Sequence, residues 1–300
     1  MYKIKTLTIG LCFFISNLAF AQFVEIGLLL GASNYIGDLS NETMAFKETQ
    51  PSAALFGRYN ISPRWAVKGF GAYGKVSGDD KNFATAKRTY NGVSNFEFNR
   101  LRNLNFNSHI YEFSVQMELN LLKNDLKDYS ARPFIPYLFA GIGVFNFNPK
   151  TTLVNAQGNK QEFELQPLAT EGQGSTTYNE LKKYPLTAIC VPVGMGIRQK
   201  IGDAFFLGIE GGIRFTNTNY LDDVGGKYAD PSIVEGATGR NAMLLADRSW
   251  EVLPTGQLSP FIDGSLRSDK RNFLKTDAYL MIGVTLSYVF RGKGIPCPQF

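Results

Sequence analysis

Side chains that could carry out catalysis are few in this 300-residue sequence. His109 is its single histidine, which excludes a histidine-rich metal site and leaves one candidate for a histidine-dependent triad. The motifs G-x-S-x-G, H-E-x-x-H and C-x-x-C are absent. Gly37 precedes Asp38 rather than the Lys-Ser/Thr pair of a P-loop. We therefore predict a protein that is not an enzyme and has no catalytic residue, cofactor or small-molecule substrate.

Three aspartates lie close enough in sequence to suggest a calcium site. Asp222, Asp223 and Asp230 belong to the segment LDDVGGKYADP. An EF-hand loop places its ligands at alternate positions and carries a glutamate at the twelfth, and this segment does not follow that spacing. We expect a solvated loop here, with calcium binding as the alternative.

Two cysteines, Cys190 and Cys297, follow the N-terminal segment. They are far apart in sequence and too few for a disulfide framework. An oxidising compartment would allow them to pair, but we expect unpaired thiols.

The first 21 residues differ in character from the rest. MYKIK supplies positive charge, an apolar run follows, and A-F-A before Gln22 fits a cleavage site. We predict a cleaved Sec signal peptide at 1–21 and a single exported domain at 22–300. The net charge of +5 falls when the lysines of MYKIK are removed, and it is too small to indicate a nucleic-acid partner.

Apolar and polar residues alternate with a period near two in eight segments, which is the pattern of β-strands with one apolar face. After the N-terminal segment no run of 18 apolar residues occurs, so no transmembrane helix is expected. The predicted strands are Phe23–Ile36, Ser52–Asn60, Arg64–Gly74, Ser108–Leu121, Pro133–Phe147, Pro185–Lys200, Ala204–Thr216 and Asp277–Phe290.

The connections between these strands alternate between long and short. The long ones lie near 37–51, 75–107, 148–184 and 217–275. Outer-membrane barrels sort their connections in this way, with tight periplasmic turns and large extracellular loops. A soluble β-sandwich, the alternative, has no reason to do so. We predict an all-β fold, an eight-stranded antiparallel transmembrane (outer-membrane) β-barrel, surrounded by the outer-membrane lipid of a Gram-negative bacterium.

Charged residues of the predicted strands fall on the faces opposite to the apolar ones, and therefore inside the barrel. Four acids and four bases are balanced, which predicts a packed ion-pair network, because buried charges need partners. A path for protons or ions is the alternative. The eight residues are Glu25, Arg58, Lys68, Glu112, Glu118, Arg198, Glu210 and Arg214.

Small and aromatic residues refine this interpretation. Gly194, Gly196, Gly208 and Gly212 have the inward parity, and small residues there relieve crowding inside a narrow barrel. Aromatic residues at strand ends are candidates for the two membrane interfaces. These candidates are Trp65, Tyr73, Tyr111, Phe145, Phe205, Phe215, Tyr288 and Phe290.

Five segments, in this order, resemble the PorG family of outer-membrane β-barrels. They are E-x-G-…-G-A-S-N-Y-I-G-D-L, R-Y-N-I-S-P-R-W, P-Y-L-F-A-G-I-G-V-F-N-F-N-P-K, T-N-Y-L-D-D-V and Y-L-M-I-G-V-T-L-S-Y. The resemblance covers nearly all of the exported domain. It implies a non-catalytic component of the type IX secretion system of Bacteroidota that tethers the periplasmic ring of PorK and PorN to the outer membrane. It also implies support of gliding motility where that occurs.

Two segments are candidates for partner contacts. The loop at 217–275 contains SIVEGATGRNAMLLADRSWE, which predicts a short amphipathic helix. The tail at 291–300 is short, basic and rich in proline, and we expect it on the periplasmic side. Its candidate contact residues are Arg291, Lys293, Pro296, Cys297 and Pro298. A small outer-membrane enzyme and a passive channel, both unrelated to secretion, are the alternative functions.

Overall fold

Eight long strands make up most of the structure. The computed structural model describes residues 24–40, 46–83, 89–90, 93–122, 134–154, 158–202, 204–255 and 276–290. The strands are β1 (Val24–Ile36), β2 (Gln50–Asn60), β3 (Trp65–Asp79), β4 (Thr89–Tyr90), β5 (Val93–Ser94), β6 (Asn105–Asn120), β7 (Ile135–Val154), β8 (Lys160–Glu164), β9 (Thr187–Ile201), β10 (Phe205–Thr216) and β11 (Ala278–Phe290). The α-helices are α1 (Asn95–Arg102), α2 (Leu165–Leu168), α3 (Pro231–Thr238) and α4 (Arg240–Ala246).

The long strands form one antiparallel sheet that closes on itself. Their order is β6-β3-β2-β1-β11-β10-β9-β7, with the short strand β8 beyond β7. The first and last long strands pair along their whole length, from Val24↔Phe290 to Ile36↔Ala278. β6 also pairs with β7, which closes the sheet. The prediction of an eight-stranded antiparallel outer-membrane β-barrel is confirmed.

Several strands extend further toward the long loops than the alternation predicted. β3 continues to Asp79, which pairs with Asn105 of β6. β7 continues to Val154, and its last residues pair with β8. The loops expected at 75–107 and 148–184 are therefore partly strand. Backbone pairing with a neighbouring strand sustains these extensions, whereas their sequences lose the regular alternation.

The outward faces of the strands are apolar. Ile26, Leu30, Leu55, Ile142 and Met195 are each more than half exposed, while eight charged side chains are buried at inward positions beside aromatic rings. This distribution is the inverse of that in a soluble protein, which buries apolar side chains and exposes charged ones. An apolar exterior with a polar interior is the pattern of a barrel surrounded by lipid.

The prediction that Phe145 lies at a membrane interface was wrong. Phe145 is buried inside the barrel, where its ring lies 5.4 Å from the rings of both Phe147 and Tyr279. Apolar residues occupy both faces of this part of β7, so the alternation alone does not decide which face is inward. The other seven candidates have exposed side chains on the outer wall.

Inward glycines make room for two large rings from β7. A Cβ atom at Gly194 or Gly212 would collide with the Phe139 ring, and one at Gly196 would collide with the Tyr137 ring. Phe139 and Tyr137 are both buried. The predicted role of the inward glycines in relieving crowding fits this geometry.

The described part of the loop that joins β10 to β11 contains two short α-helices where one helix was expected. The Asp230 side chain caps α3 by accepting a 2.8 Å hydrogen bond from the Ser232 N–H, and Pro231 opens the helix. Gly239, at φ 94°, separates α3 from α4. Among the described residues, no helix is both long and apolar enough to cross a membrane.

Candidate functional site in the barrel interior

Glu25 anchors the charge network at the short-turn end of the barrel. Arg58 Nη1 donates to Glu25 Oε2 at 2.6 Å, and Arg198 Nη1 approaches the same oxygen at 3.2 Å. Asn60 Nδ2 donates to the other oxygen at 2.9 Å. A buried carboxylate of β1 is thus held by a guanidinium group and an amide from β2 and by a second guanidinium group from β9.

Glu118 and Glu210 continue the network along the barrel. Arg58 Nε donates to Glu118 Oε2 at 2.6 Å, and Lys68 Nζ lies 3.0 Å from Glu118 Oε1. The same ammonium group contacts Glu210 Oε2 at 2.7 Å. Tyr137 donates its hydroxyl hydrogen to this Glu210 oxygen, also at 2.7 Å. Lys68 of β3 therefore joins a carboxylate of the neighbouring strand β6 to one of β10 across the barrel.

Glu112 forms a separate group nearer the long loops. Arg214 Nε donates to Glu112 Oε2 at 3.0 Å, and the Tyr279 hydroxyl donates to the same oxygen at 3.0 Å. Ser114 Oγ donates to Glu112 Oε1 at 2.8 Å. All eight charged residues expected in the interior are buried, and each belongs to an ion pair with another of the eight.

Aromatic rings fill the space around the bases. Lys68 Nζ lies 4.6 Å from the centre of the Phe139 ring, and the Arg58 guanidinium lies 5.1 Å from that of Phe56. The Arg214 guanidinium lies 5.4 Å from the centre of the Phe70 ring. Rings and ion pairs together occupy the interior, as side chains do in narrow eight-stranded barrels.

Three buried aspartates meet above the charge network, at the long-loop end. Carboxylate oxygens of Asp38, Asp222 and Asp277 all lie within 4.8 Å of one another. The Tyr35 hydroxyl lies between two of them, 2.6 Å from Asp222 Oδ2 and 3.3 Å from Asp277 Oδ1. We call Asp38, Asp222 and Asp277 the acidic cluster. Carboxylates this close share protons or a cation, because buried like charges cannot all remain ionised.

Burial is the main cause of altered protonation in the acidic cluster. Burial raises the pKa of Asp222 well above its usual range, and the nearby charge of Asp38 raises it further. The pKa of Asp277 is raised well above its usual range for the same reason, with Asp222 and Asp38 adding to the effect of burial. Protonated carboxyl groups are therefore expected here at pH values where exposed aspartates are ionised.

Local backbone features bring these residues together. A Cβ atom at position 37 would collide with the Tyr35 side chain, so Gly37 allows the hydroxyl to reach the acids. Asp277 Oδ2 accepts from the Leu221 N–H at 3.0 Å, which fixes the loop before β11. Arg102 Nη2 donates to the Asp38 carbonyl oxygen at 2.7 Å. These contacts join the first, second and fourth long loops.

The prediction of a solvated loop was wrong for Asp222 and Asp223, which are buried, and the three aspartates of the calcium alternative do not converge. Asp222 joins the acidic cluster, whereas Asp223 accepts a 2.7 Å hydrogen bond from the Tyr184 hydroxyl. Asp230 is exposed and caps α3. The three carboxylates face different partners because the loop folds back around Asp223, whose φ is 67°. Sequence reasoning missed Asp38 and Asp277, which lie far from Asp222 along the chain.

The other candidate residues from the sequence lie apart from this interior. His109 is on the outer wall, where its Nδ1 lies 2.7 Å from the Tyr73 hydroxyl. Cys190 is buried and in no disulfide among the described residues. The candidate signal peptide at 1–21 and the tail residues Arg291, Lys293, Pro296, Cys297 and Pro298 lie outside the described residues.

Comparison with protein families gives one match. The model of the family described as "Domain of unknown function (DUF6089)" matches residues 4–172, more than half of the chain. The chain belongs to the DUF6089 family. The matched region includes β1, β2, β3 and β6, and with them Tyr35, Asp38 and five of the eight interior charges. No match was found among curated proteins.

Solved structures with similar strand arrangements are small bacterial barrels. The chain is similar to Ail, the attachment invasion locus protein of Yersinia pestis, with TM-score 0.35, 8% identity, and coverage of 90% of this chain and 99% of that one. The chain is also similar to Neisserial surface protein A (NspA), with TM-score 0.34, 8% identity, and coverage of 90% of this chain and 97% of that one. A third similar structure is the outer membrane protein OprG from Pseudomonas aeruginosa, with TM-score 0.33, 8% identity, and coverage of 90% of this chain and 96% of that one. The fold assignment rests on the strand pairing of the chain itself.

Proposed function

We propose that this barrel is a non-catalytic outer-membrane anchor for a periplasmic protein assembly, the ring of PorK- and PorN-type proteins of the type IX secretion system. The observation that carries the proposal is the filled interior. In the part of the barrel that the structure describes, eight mutually paired charges and the rings around them fill the interior, so we assign the function to the surfaces of the protein.

Paired interior charges argue against a passive channel. A mobile ion entering the barrel would have to replace short contacts such as Arg58–Glu118 and Lys68–Glu210, at 2.6 and 2.7 Å. Separating buried partners leaves uncompensated charges, which costs several kcal/mol. An anchor needs a rigid barrel rather than an open one, and this network supplies rigidity.

An outer-membrane enzyme has less support from the geometry. His109 contacts Tyr73 on the outer wall, whereas the nearest carboxylate along β6, that of Glu112, is buried inside the barrel and accepts a hydrogen bond from Arg214. The acidic cluster is buried beneath loops. Neither arrangement places a nucleophile beside a general base in an accessible cleft.

The type IX assignment is based on the five PorG-like segments. In the structure three of these segments meet. Tyr35 and Asp38 come from G-A-S-N-Y-I-G-D-L, and Asp222 comes from T-N-Y-L-D-D-V. Asp277 directly precedes β11, which contains the terminal segment. Residues in or next to three of these segments thus contact one another at the long-loop end of the barrel.

Affinity capture from detergent-solubilised outer membranes tests the proposal. The tagged full chain should retain ring proteins of the PorK and PorN type, identified by mass spectrometry. A variant with Arg291→Gln and Lys293→Gln in the tail should retain less, while Lys160→Gln, a charge removal in β8, should retain the same amount. Loss of type IX cargo export on deletion of the gene is also expected.

Two outcomes would contradict the anchor. One is normal cargo export in the deletion strain with no ring protein captured. The other is a stable single-channel current from the purified full chain in planar bilayers, which would indicate a channel. Full biological activity of His109→Ala is expected, because the anchor uses no catalytic histidine.

A further inference from the structure

One sector of the outer wall differs from the rest. On β1, β2, β9, β10 and β11 the outward positions carry no charged residue and no histidine. On β3, β6 and β7 the outward positions toward the long loops carry Lys75, Asp79, His109 and Lys150. Among the described long strands, charged residues and histidine at outward positions are therefore confined to three adjacent strands.

The register places the two most available of these groups side by side. Lys75 of β3 pairs with His109 of β6, and His109 pairs with Asn148 of β7. The row directly below consists of Tyr73, Tyr111 and Asn146. We call Lys75, His109, Tyr73 and Asn148 the rim patch.

The height of the rim patch coincides with the edge of the apolar band. Along β6 the outward residues below His109 are aromatic or apolar. The stretch of β6 from Leu119 to Tyr111 has five outward residues. At a rise of about 3.4 Å per residue and a strand tilt near 45°, this stretch spans roughly 20 Å of the apolar band, which is about 25 Å tall in outer-membrane barrels. These five residues are Leu119, Met117, Val115, Phe113 and Tyr111. His109 therefore lies at the level of lipid headgroups on the long-loop side.

Of the rim-patch donors, the Asn148 amide is already used, since its Nδ2 donates to Glu164 Oε1 at 3.0 Å, and Lys75 and His109 remain. Tyr73 and His109 lie ring over ring, with centroids 5.8 Å apart and planes 16° apart. The Tyr73 hydroxyl contacts Nδ1 at 2.7 Å, which orients the imidazole and leaves Nε2 for another partner. Lys75 Nζ has no hydrogen-bond or ion-pair partner among the described residues.

The neighbouring charges do not cancel these donors. Lys150 contacts Glu164 at 3.1 Å and Glu162 at 3.9 Å, so the two glutamates of β8 already have a basic partner. Asp79 lies further up β3, where its Oδ1 accepts from the Lys81 N–H at 2.9 Å. The Lys75 ammonium group and the His109 imidazole thus remain side by side, facing the membrane interface.

We infer that the rim patch binds the phosphate of a lipid headgroup in the leaflet on the long-loop side, with Lys75 and His109 as the contacting residues. An anionic headgroup at this level pairs with basic side chains near the membrane surface. The apolar band below accommodates its acyl chains, and Tyr73 and Tyr111 line the transition between the two. Tyr73 is a positioning residue for His109.

Native mass spectrometry of the full chain tests this inference. The barrel is reconstituted in nanodiscs of phosphatidylcholine with a minor fraction of phosphatidic acid, then released, and the retained lipids are counted. The native chain should retain phosphatidic acid in excess of its share. Lys75→Gln should reduce this excess by up to about fivefold, the effect of losing one lysine charge at a membrane surface. His109→Gln should also reduce it, because the imidazole contact is lost. Lys75→Arg should preserve it.

Lys160→Gln is the matched control, because it removes an equal charge from β8 above the membrane, and it should retain phosphatidic acid like the native chain. Heat-modifiable gel mobility verifies that each variant is folded. Equal retention by the folded Lys75→Gln, His109→Gln double variant would overturn the inference, as would an equal loss in Lys160→Gln. Displacement of the retained lipid by millimolar inorganic phosphate would also overturn it, since the site would then bind free phosphate.

Discussion

Two groups of buried acids lie at different heights in the same barrel and are neutralised in different ways. In the interior network, Glu25, Glu118 and Glu210 each contact a buried base at 3.0 Å or less. In the acidic cluster, the nearest polar partner between Asp222 and Asp277 is the Tyr35 hydroxyl. Deep inside, charge is balanced by opposite charge, whereas under the loops it must be reduced by protonation or by a cation. Equal substitutions in the two groups should therefore have opposite effects.

The largest effect is expected from Glu118→Gln. The change leaves Arg58 and Lys68 with one carboxylate fewer, and breaking a buried ion pair costs about 3–5 kcal/mol. Urea unfolding of the detergent-folded chain, followed by gel mobility, gives the loss in free energy of unfolding. The control is Glu97→Gln, whose exposed pair with Arg100 should contribute less than about 1 kcal/mol. Similar losses for both would mean that the network does not stabilise the barrel.

The second-largest loss of stability is expected from Gly196→Ala, a steric change that leaves the charges of the interior unaltered. Gly196→Ala places a methyl group against the Tyr137 ring, which must move away from Glu210. Overpacking of this kind typically costs about 1–3 kcal/mol. Gly57→Ala is the matched control, because nothing lies within 4 Å of a Cβ atom there. The same unfolding assay applies, and equal stability of the two variants would contradict a close-packed interior.

The opposite sign is expected in the acidic cluster. We call the loop residues around the acidic cluster the loop layer. Asp277→Asn removes one of three competing charges and should stabilise the loop layer at pH 8 by on the order of 1 kcal/mol. Amide hydrogen exchange of the segment 218–224 measures this in protein treated with EDTA. Asp230→Asn removes a charge from the same loop and should leave the exchange unchanged, because asparagine caps helices as well as aspartate does. Faster exchange in Asp277→Asn would show that the charged form is the stabilising one.

The smallest expected effect is the pH dependence of amide hydrogen exchange in the loop layer. The pKa values of Asp222 and Asp277 are raised in the folded protein, so the folded loop layer binds more protons than the unfolded one. Its stability is fully present below the ordinary aspartate pKa and is lost as pH rises through the raised values. Exchange of the segment 218–224, corrected for its intrinsic pH dependence, should slow roughly two- to fivefold from pH 8 to pH 5. The change should be smaller in Asp277→Asn, and an unchanged pH response there would contradict the assignment.

Much of the barrel could be predicted because alternation in a strand is local. Side chains of neighbouring residues point to opposite faces, so the inward placement of Glu112 and Arg214 follows from their parity alone. The ion pair between them does not, because it depends on the tilt and stagger of strands that lie far apart in sequence. Phe145 shows where parity fails, since apolar residues on both faces of β7 leave the inward face undecided.

The sequence by itself determined the eight strands, their sorted connections, the balance of interior charges and the resemblance to an outer-membrane family. Only the tertiary structure decided which charges pair, that Asp38, Asp222 and Asp277 meet around Tyr35, and that Lys75 lies beside His109 on the outer wall. The physical reason is closure of the sheet. Once the first and last strands pair, residues more than 180 positions apart, such as Tyr35 and Asp222, come within hydrogen-bond distance.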